Sequence, residues 1–257
     1  MKDIVNMSIL ITGGGSGLGR GAAEYFCKLG AKVTICGRRL EKIEQAAHEI
    51  GKNCLGVQAD ITDAASRKML IERAVEHGKG LHALINNAAN MYRGPVEELE
   101  QDKLLDIFNT NVVAGMLLTG AATPYLEKTE GAVVFIGSTH TRRAMPGASP
   151  YAATKAAVAG VSKVLAAELG SRKIRVNCIL PGAILTELNQ RAGLCSDEQA
   201  KQRLQSIAGL HALGRIGTEL EIAEAMDYLI RAEWTTGAIV DVDGGFGLGL
   251  TDDKLPR

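Results

Sequence analysis

Neither sign of charge dominates this chain. Its 29 Lys and Arg balance 29 Asp and Glu, for a formal net charge of zero. That balance argues against general binding to nucleic acid or to an anionic membrane, both of which call for basic patches. Cysteine is sparse: Cys27, Cys36, Cys54, Cys178 and Cys195 form no CxxC or other metal-ligand spacing. An odd number of scattered cysteines points to reduced thiols, most of them buried as small hydrophobes, and away from a disulfide framework or a metal site. The N-terminal MKDIVNMSILITGGG has one short apolar run that stops at three glycines, without the h-region and cleavage site of a secretory leader. No run of about 18 apolar residues is seen, so no transmembrane helix is expected. No linker, low-complexity tract or short-period repeat divides the chain. These absences leave a soluble cytoplasmic protein as the expectation.

What is present is ordinary globular material. The 257 residues are 46% hydrophobic and 23% charged, enough for one large α/β domain or two small ones. Short apolar runs alternate with longer amphipathic stretches. Strands are expected at 7–12, 31–36, 54–58, 81–87, 131–138, 174–180 and 238–245. Helices are expected between them, at 19–30, 40–51, 62–78, 98–127, 151–170, 186–212 and 219–231, with Thr62 as an N-cap and Pro124 as a kink or an end. Strands apolar on both sides that alternate with helices predict one doubly wound α/β domain over residues 1–257, with a seven-stranded, mainly parallel sheet flanked by helices. Ligands in such sheets bind at the carboxyl ends of the strands.

The segment ITGGGSGLGRG joins the first strand to the first helix. Gly13, Gly17 and Gly19 allow a tight turn and close backbone approach to a phosphate, and the helix N-terminus offers free N–H groups. A flexible glycine-rich turn is the bland alternative. The place of the loop inside a βαβ unit favours nucleotide binding. Where NAD-binding folds carry an acidic residue after the second strand, this chain has Gly37 followed by Arg38 and Arg39. An arginine there pairs with a 2′-phosphate, so NADP(H) is preferred and NAD(H) stays possible; a solvated basic turn is the alternative. Asp60, after the third strand, either accepts from an adenine amino group or begins the next turn.

In SPYAATKAAVAGVSK, Tyr151 and Lys155 stand four residues apart, about one helical turn, among small residues. Taken together, these segments resemble the short-chain dehydrogenase/reductase family. TGGGSGLG at 12–19 resembles TGxxxGxG, and NNAA at 86–89 resembles NNAG with Ala89 for glycine. Asn111 lies in the long helix, Ser138 ends the fifth strand, and YAATK at 151–155 is YxxxK. PGAILT at 181–186 resembles PGxxxT, and VDGG at 242–245 completes the order.

The resemblance implies a Rossmann-type fold and a catalytic set of Asn111, Ser138, Tyr151 and Lys155. It implies a cofactor site of Gly13, Gly15, Ser16, Gly17, Leu18 and Gly19, then Arg38, Arg39, Asp60, Ile61, Asn87 and Ala88. Tyr151, Lys155, Pro181, Gly182, Ile184 and Thr186 complete that site. Ser16 replaces the basic residue that many NADP-preferring members carry. Tyr151 would be the acid/base, with Lys155 drawing its pKa down from about 10. Ser138 would hydrogen-bond the substrate oxygen. On the resemblance, Lys155 also holds the nicotinamide ribose, and the backbone around Asn111 positions a water that joins Lys155 to solvent. The family also implies a homodimer or homotetramer formed through the small-residue helix, with Ala152, Ala153, Ala156, Ala157 and Gly160 allowing close approach.

The substrate side is less marked. Tyr92, Thr139, His140 and Arg142 are the candidates for it, near Asn90, Met91, Arg143 and Met145. His140 is more simply a wall than a catalyst, and Arg142 and Arg143 either greet an anionic substrate or are solvated. Residues 186–212 resemble a substrate lid that carries Glu187, Asn189, Gln190, Arg191 and Leu194 and reads as polar overall, with Cys195 unremarkable. The expected function is NADP(H)-dependent reduction of a ketone or 3-oxoacyl carbonyl to a secondary alcohol. An NAD-dependent alcohol or polyol dehydrogenase and a non-catalytic cofactor sensor are the alternatives.

Overall fold

The computed structural model describes residues 1–188, 193 and 196–250. Asn189, Gln190, Arg191, Leu194 and Cys195 of the expected lid lie outside the described residues. The strands are β1 Ser8–Thr12, β2 Lys32–Gly37, β3 Cys54–Gln58, β4 Ala83–Asn86, β5 Ala132–Ile136, β6 Arg175–Pro181 and β7 Ile239–Val242. They form one seven-stranded sheet in the order β3-β2-β1-β4-β5-β6-β7. Every pairing is parallel, where the sequence predicts a mainly parallel sheet.

Alternation along the strands builds two cores. Leu10, Leu84, Val133, Phe135 and Val176 face one side, under α3 Ala64–Gly78, α5 Ala114–Lys128 and α6 Ser149–Leu169. Ile9, Ile11, Ile35, Ile85 and Val134 face the other, under α1 Gly17–Lys28, α2 Leu40–Ile50 and the helix Glu219–Arg231 (α8). Both faces are covered, which is why the central strands read as unbroken apolar runs. Strand order reverses between β1 and β4, and a groove opens at their carboxyl ends.

Several boundaries differ from the sequence reading. The helix expected over 98–127 is α4 Gln101–Phe108, a π-helical turn Asn109–Val113, and α5. The break falls at that turn and not at Pro124, which sits inside α5. Pro124 and Gly120, whose carbonyl loses its N–H partner, are both on the exposed side, open to solvent. Residues Gln101–Lys128 are also long and apolar enough, by length and composition alone, to cross a membrane. The fold buries the inner face of this segment through Val112, Leu118, Ala122 and Leu126. The N-cap of α3 is Asp63 and not Thr62, because the Asp63 carboxylate accepts the Ser66 N–H at 2.7 Å. Among the described residues of the expected lid helix, Asp197–Ile207 form a regular helix (α7). Its Ser196 and Gln199 form a capping box.

Candidate active site

The glycine loop is tied to the end of β4 by one hydroxyl. Thr12 Oγ1 accepts the N–H groups of Asn87 and Ala88, each at 3.0 Å, and donates to Ile85 O at 3.3 Å. Asn87 Nδ2 donates back to Thr12 O at 2.8 Å. Gly13 and Gly17 take left-handed φ values of 69° and 53°, which a side chain would strain. A Cβ on Gly19 would stand 2.4 Å from Gly13 O, so the first turn of α1 packs directly on the loop. Ser16 precedes that helix in extended conformation with no side-chain cap bond. The first N–H groups of α1 thus have no capping side chain and suit an anion.

Gly13, Ser16, Gly17 and Leu18 form one wall of the groove, and Asn87 and Ala88 the other. Arg38, Asp60 and Ile61 close it on the β2–β3 side, Tyr151 and Lys155 on the β5 side, and Thr186 stands against Gly17. A bare-backbone cradle at a helix N-terminus, with a cation at one end, fits a nicotinamide dinucleotide. Gly15 and Gly19 are not on this surface: Gly15 faces Lys42 and Ile43 of α2, and Gly19 faces Gly13 and Asn87. Pro181, Gly182 and Ile184 line an adjoining cavity instead.

Arg38 and Arg39 part company. Arg38 lines the groove. Arg39 turns to Glu187 at 3.3 Å, and Lys42 approaches the same carboxylate at 3.8 Å. Burial pushes the Glu187 carboxyl up, but hydrogen bonding to Arg39 and the Lys42 charge prevail and hold it below its ordinary value. Asp60 takes the turn role of its two alternatives and also faces the groove. Its carboxylate accepts Thr62 N at 2.9 Å and Thr62 Oγ1 at 2.7 Å. Burial raises the Asp60 pKa, yet the Thr62 bonds and Arg38 bring it below the usual range.

Pro150 in the first turn starts α6, and Tyr151 and Lys155 then fall on its buried face, 6% and 3% exposed. Lys155 Nζ donates to Ile136 O at 2.7 Å and sits 5.6 Å from the centre of the Tyr151 ring. β5 ends at Ile136, two residues before Ser138, which caps a short 3-10 turn Thr139–Thr141. The Ser138 hydroxyl lies on the same cavity wall as Tyr151 and lowers the Tyr151 pKa. Asn111 lies in the π turn; its Nδ2 donates to Asn90 O and Thr154 Oγ1, both at 3.0 Å, and its Oδ1 accepts Asn90 N at 2.7 Å. The four residues expected to act together are thus gathered at one place.

The expected pKa direction is reversed. Burial pushes the Tyr151 phenol up to about 12, against smaller lowering effects from Ser138 and from the charge of Arg93. Burial brings Lys155 down to about 8. Desolvation outweighs the ion–phenol attraction because Lys155 spends its ammonium on a main-chain carbonyl. Tyr151 is therefore held as a proton donor.

The adjoining cavity holds Ser138, Thr139, His140 and Tyr151. Tyr92 and Arg142 are not on it. The Tyr92 hydroxyl accepts Glu100 N at 2.9 Å, and Arg142 pairs with Asp241 at 3.2 Å on the surface. Arg143 is likewise engaged, donating to Phe246 O at 3.2 Å and Leu250 O at 3.0 Å. Among the described residues, the cation that lines the cavity is Arg93, one residue beyond the stretch that sequence reasoning singled out. The described part of the lid turns an apolar face inward through Leu188, Leu204 and Ile207, although its sequence is polar. Helical spacing of Leu204 and Ile207 was the available signal.

The short chain dehydrogenase family model matches residues 7–194. The chain belongs to the short-chain dehydrogenase/reductase family, whose members are NAD(P)-dependent oxidoreductases acting on carbonyl and alcohol groups. It is 33% identical over 254 residues to an uncharacterized oxidoreductase of Methylorubrum extorquens, covering 95% of this chain and 99% of that protein. It is 32% identical to a 3-oxoacyl-(acyl-carrier-protein) reductase of Chlamydia muridarum, covering 94% and 98%. A solved 3-ketoacyl-(acyl-carrier-protein) reductase of Brucella melitensis, complexed with NADH, superposes with a TM-score of 0.85 at 32% identity, over 95% of this chain and 99% of that one.

Proposed function

We propose that the protein is an NADP(H)-dependent reductase that converts a ketone or 3-oxoacyl carbonyl to a secondary alcohol. The observation that carries this reading is Tyr151, which lines both the groove and the cavity, with Ser138 on the same cavity wall. When bound, the nicotinamide supplies the hydride. Tyr151 gives its phenolic proton to the carbonyl oxygen, and Ser138 stabilises the charge that develops there. Lys155 holds the nicotinamide end of the groove and keeps a cation beside the tyrosine. The apolar walls at Met91, Ile184, Leu188 and Leu204 suit an acyl or alkyl body. Residues 186–212 act as its lid.

For the cofactor, Gly37 in place of an acid and Arg38 on the groove support the 2′-phosphate form. Fluorescence titration with NADPH and NADH tests this; tighter NADPH binding is expected, and equal or tighter NADH binding overturns it. Turnover of a 3-oxoacyl thioester against a simple ketone tests the substrate class.

We also propose a homo-oligomer. Leu105, Phe108, Met116 and Leu117 form an exposed apolar face on α4 and α5. Ala153, Ala156 and Gly160 are exposed on α6, and a Cβ at Gly160 would meet nothing within 4 Å. Light scattering at micromolar concentration should give a dimer or tetramer mass; a monomer overturns the reading.

A further inference from the structure

Behind the tyrosine and serine stands a line of hydrogen bonds that the catalytic set does not include. An Arg93 Nη atom is 3.1 Å from His140 Nε2, and His140 Nδ1 is 3.0 Å from Ser138 Oγ. The main-chain N–H of His140 also reaches Ser138 Oγ, at 3.2 Å. The His140 ring meets Tyr151 edge-on, with centroids 5.2 Å apart and planes at 84°.

The protons of this line are determined by its first member. A guanidinium only donates, so His140 Nε2 accepts and carries no proton. A neutral imidazole then holds its proton on Nδ1, and Nδ1–H donates to Ser138 Oγ. With the His140 main-chain N–H as well, two donors converge on that oxygen and fill its two acceptor positions. The Ser138 proton is left for the cavity that Ser138 and Tyr151 both line. The opposite tautomer would set two N–H groups against each other at Nε2 and turn the serine proton back toward His140.

We propose that Arg93 and His140 are positioning residues that fix the direction of the Ser138 hydroxyl, so that the serine proton points at the substrate carbonyl. The proposal rests on the carbonyl-reductase reading above. As Tyr151 gives up its O–H proton to the substrate oxygen, the Ser138 proton is already in place to meet the charge that develops there. Arg93 reinforces this end of the line with its charge, which favours the phenolate.

The test reads the histidine directly. In protein labelled with nitrogen-15 histidine, the two ring nitrogens of His140, assigned by loss of its signals in His140→Gln, should show the Nδ1–H tautomer. Arg93→Met, which removes the donor, should shift His140 toward the Nε2–H tautomer and lower kcat by roughly tenfold, with NADPH affinity unchanged. Arg93→Lys, which still only donates, should keep the Nδ1–H tautomer and most of kcat. An Nε2–H tautomer in the wild type, or no change of tautomer in Arg93→Met, overturns the proposal. A raised KM with unchanged kcat and tautomer would overturn it too, by making Arg93 a substrate-binding cation. Because the tautomer is read without turnover, failure of the reductase reading is distinguishable from failure of this one.

Discussion

Lys155 Nζ donates to Ile136 O at 2.7 Å, and this bond holds a buried ammonium at the end of β5, beside the ring of Tyr151. Burial brings its pKa down to about 8, from an unfolded value of about 10.4. Between those values the unfolded chain binds more protons than the folded one, so stability rises with pH across that window. The burial penalty is fully present below about pH 8 and is gone above the unfolded value. Raising the pH from 7 to 9 should therefore add about 1 kcal/mol from this group. Urea unfolding of the wild type and Lys155→Met at both pH values measures it. The wild type should gain relative to the variant, and an equal response in the two would show that the ammonium is not desolvated.

Tyr151 is the second quantity to test. Its phenol is held protonated, with a pKa of about 12. Tyr151→Phe removes the donor and almost no volume. Turnover should fall by roughly 10²–10⁴-fold while nucleotide affinity holds. A sensor that binds nucleotide without chemistry would be indifferent to the change, so retained function in the variant would sink the enzyme reading.

The sequence and the structure agree where a residue's role depends on spacing. Tyr151 and Lys155 share a face because they are one turn apart, and Gly13 and Gly17 adopt the positive φ values that their loop needs. All seven strands were legible because each is an apolar run between helices. The differences arise where a side chain chooses a partner outside its own element. Arg142 finds Asp241, Arg39 finds Glu187, and Tyr92 finds the main chain of Glu100. No periodicity encodes those choices. Arg93 was hidden for the same reason, since only the fold brings residue 93 beside residue 140.

Glu187 should weaken NADPH binding. Its carboxylate draws Arg39 and Lys42 together at the mouth of the groove, beside the end that Arg38 lines. Glu187→Gln frees both cations for a 2′-phosphate. The pairs are 41–49% exposed, so the effect is modest. NADPH should bind roughly two- to fivefold more tightly, with the gain shrinking at high salt, and NADH should change less. An unchanged ratio of the two dissociation constants would place the 2′-phosphate away from these cations.

Asn111 is expected to matter through its side chain as well as its backbone. It is 6% exposed and joins three groups: the N–H and the carbonyl of Asn90, and the Thr154 hydroxyl. Those bonds tie the segment after β4 to α6 at Thr154, the residue before Lys155. Asn111→Leu keeps the size but leaves the half-buried Asn90 N–H and carbonyl without these bonds. The loss should be roughly 2–3 kcal/mol of stability, read as a lower urea midpoint at unchanged m. Asn111→Asp still accepts the Asn90 N–H but turns a carboxylate oxygen toward Asn90 O, so it should not rescue stability and should lose more as pH rises through the carboxylate range. If Asn111→Asp is instead as stable as the wild type at pH 7, the Asn90 carbonyl contact contributes little, and the N–H of Asn90 is the bond that holds the segment.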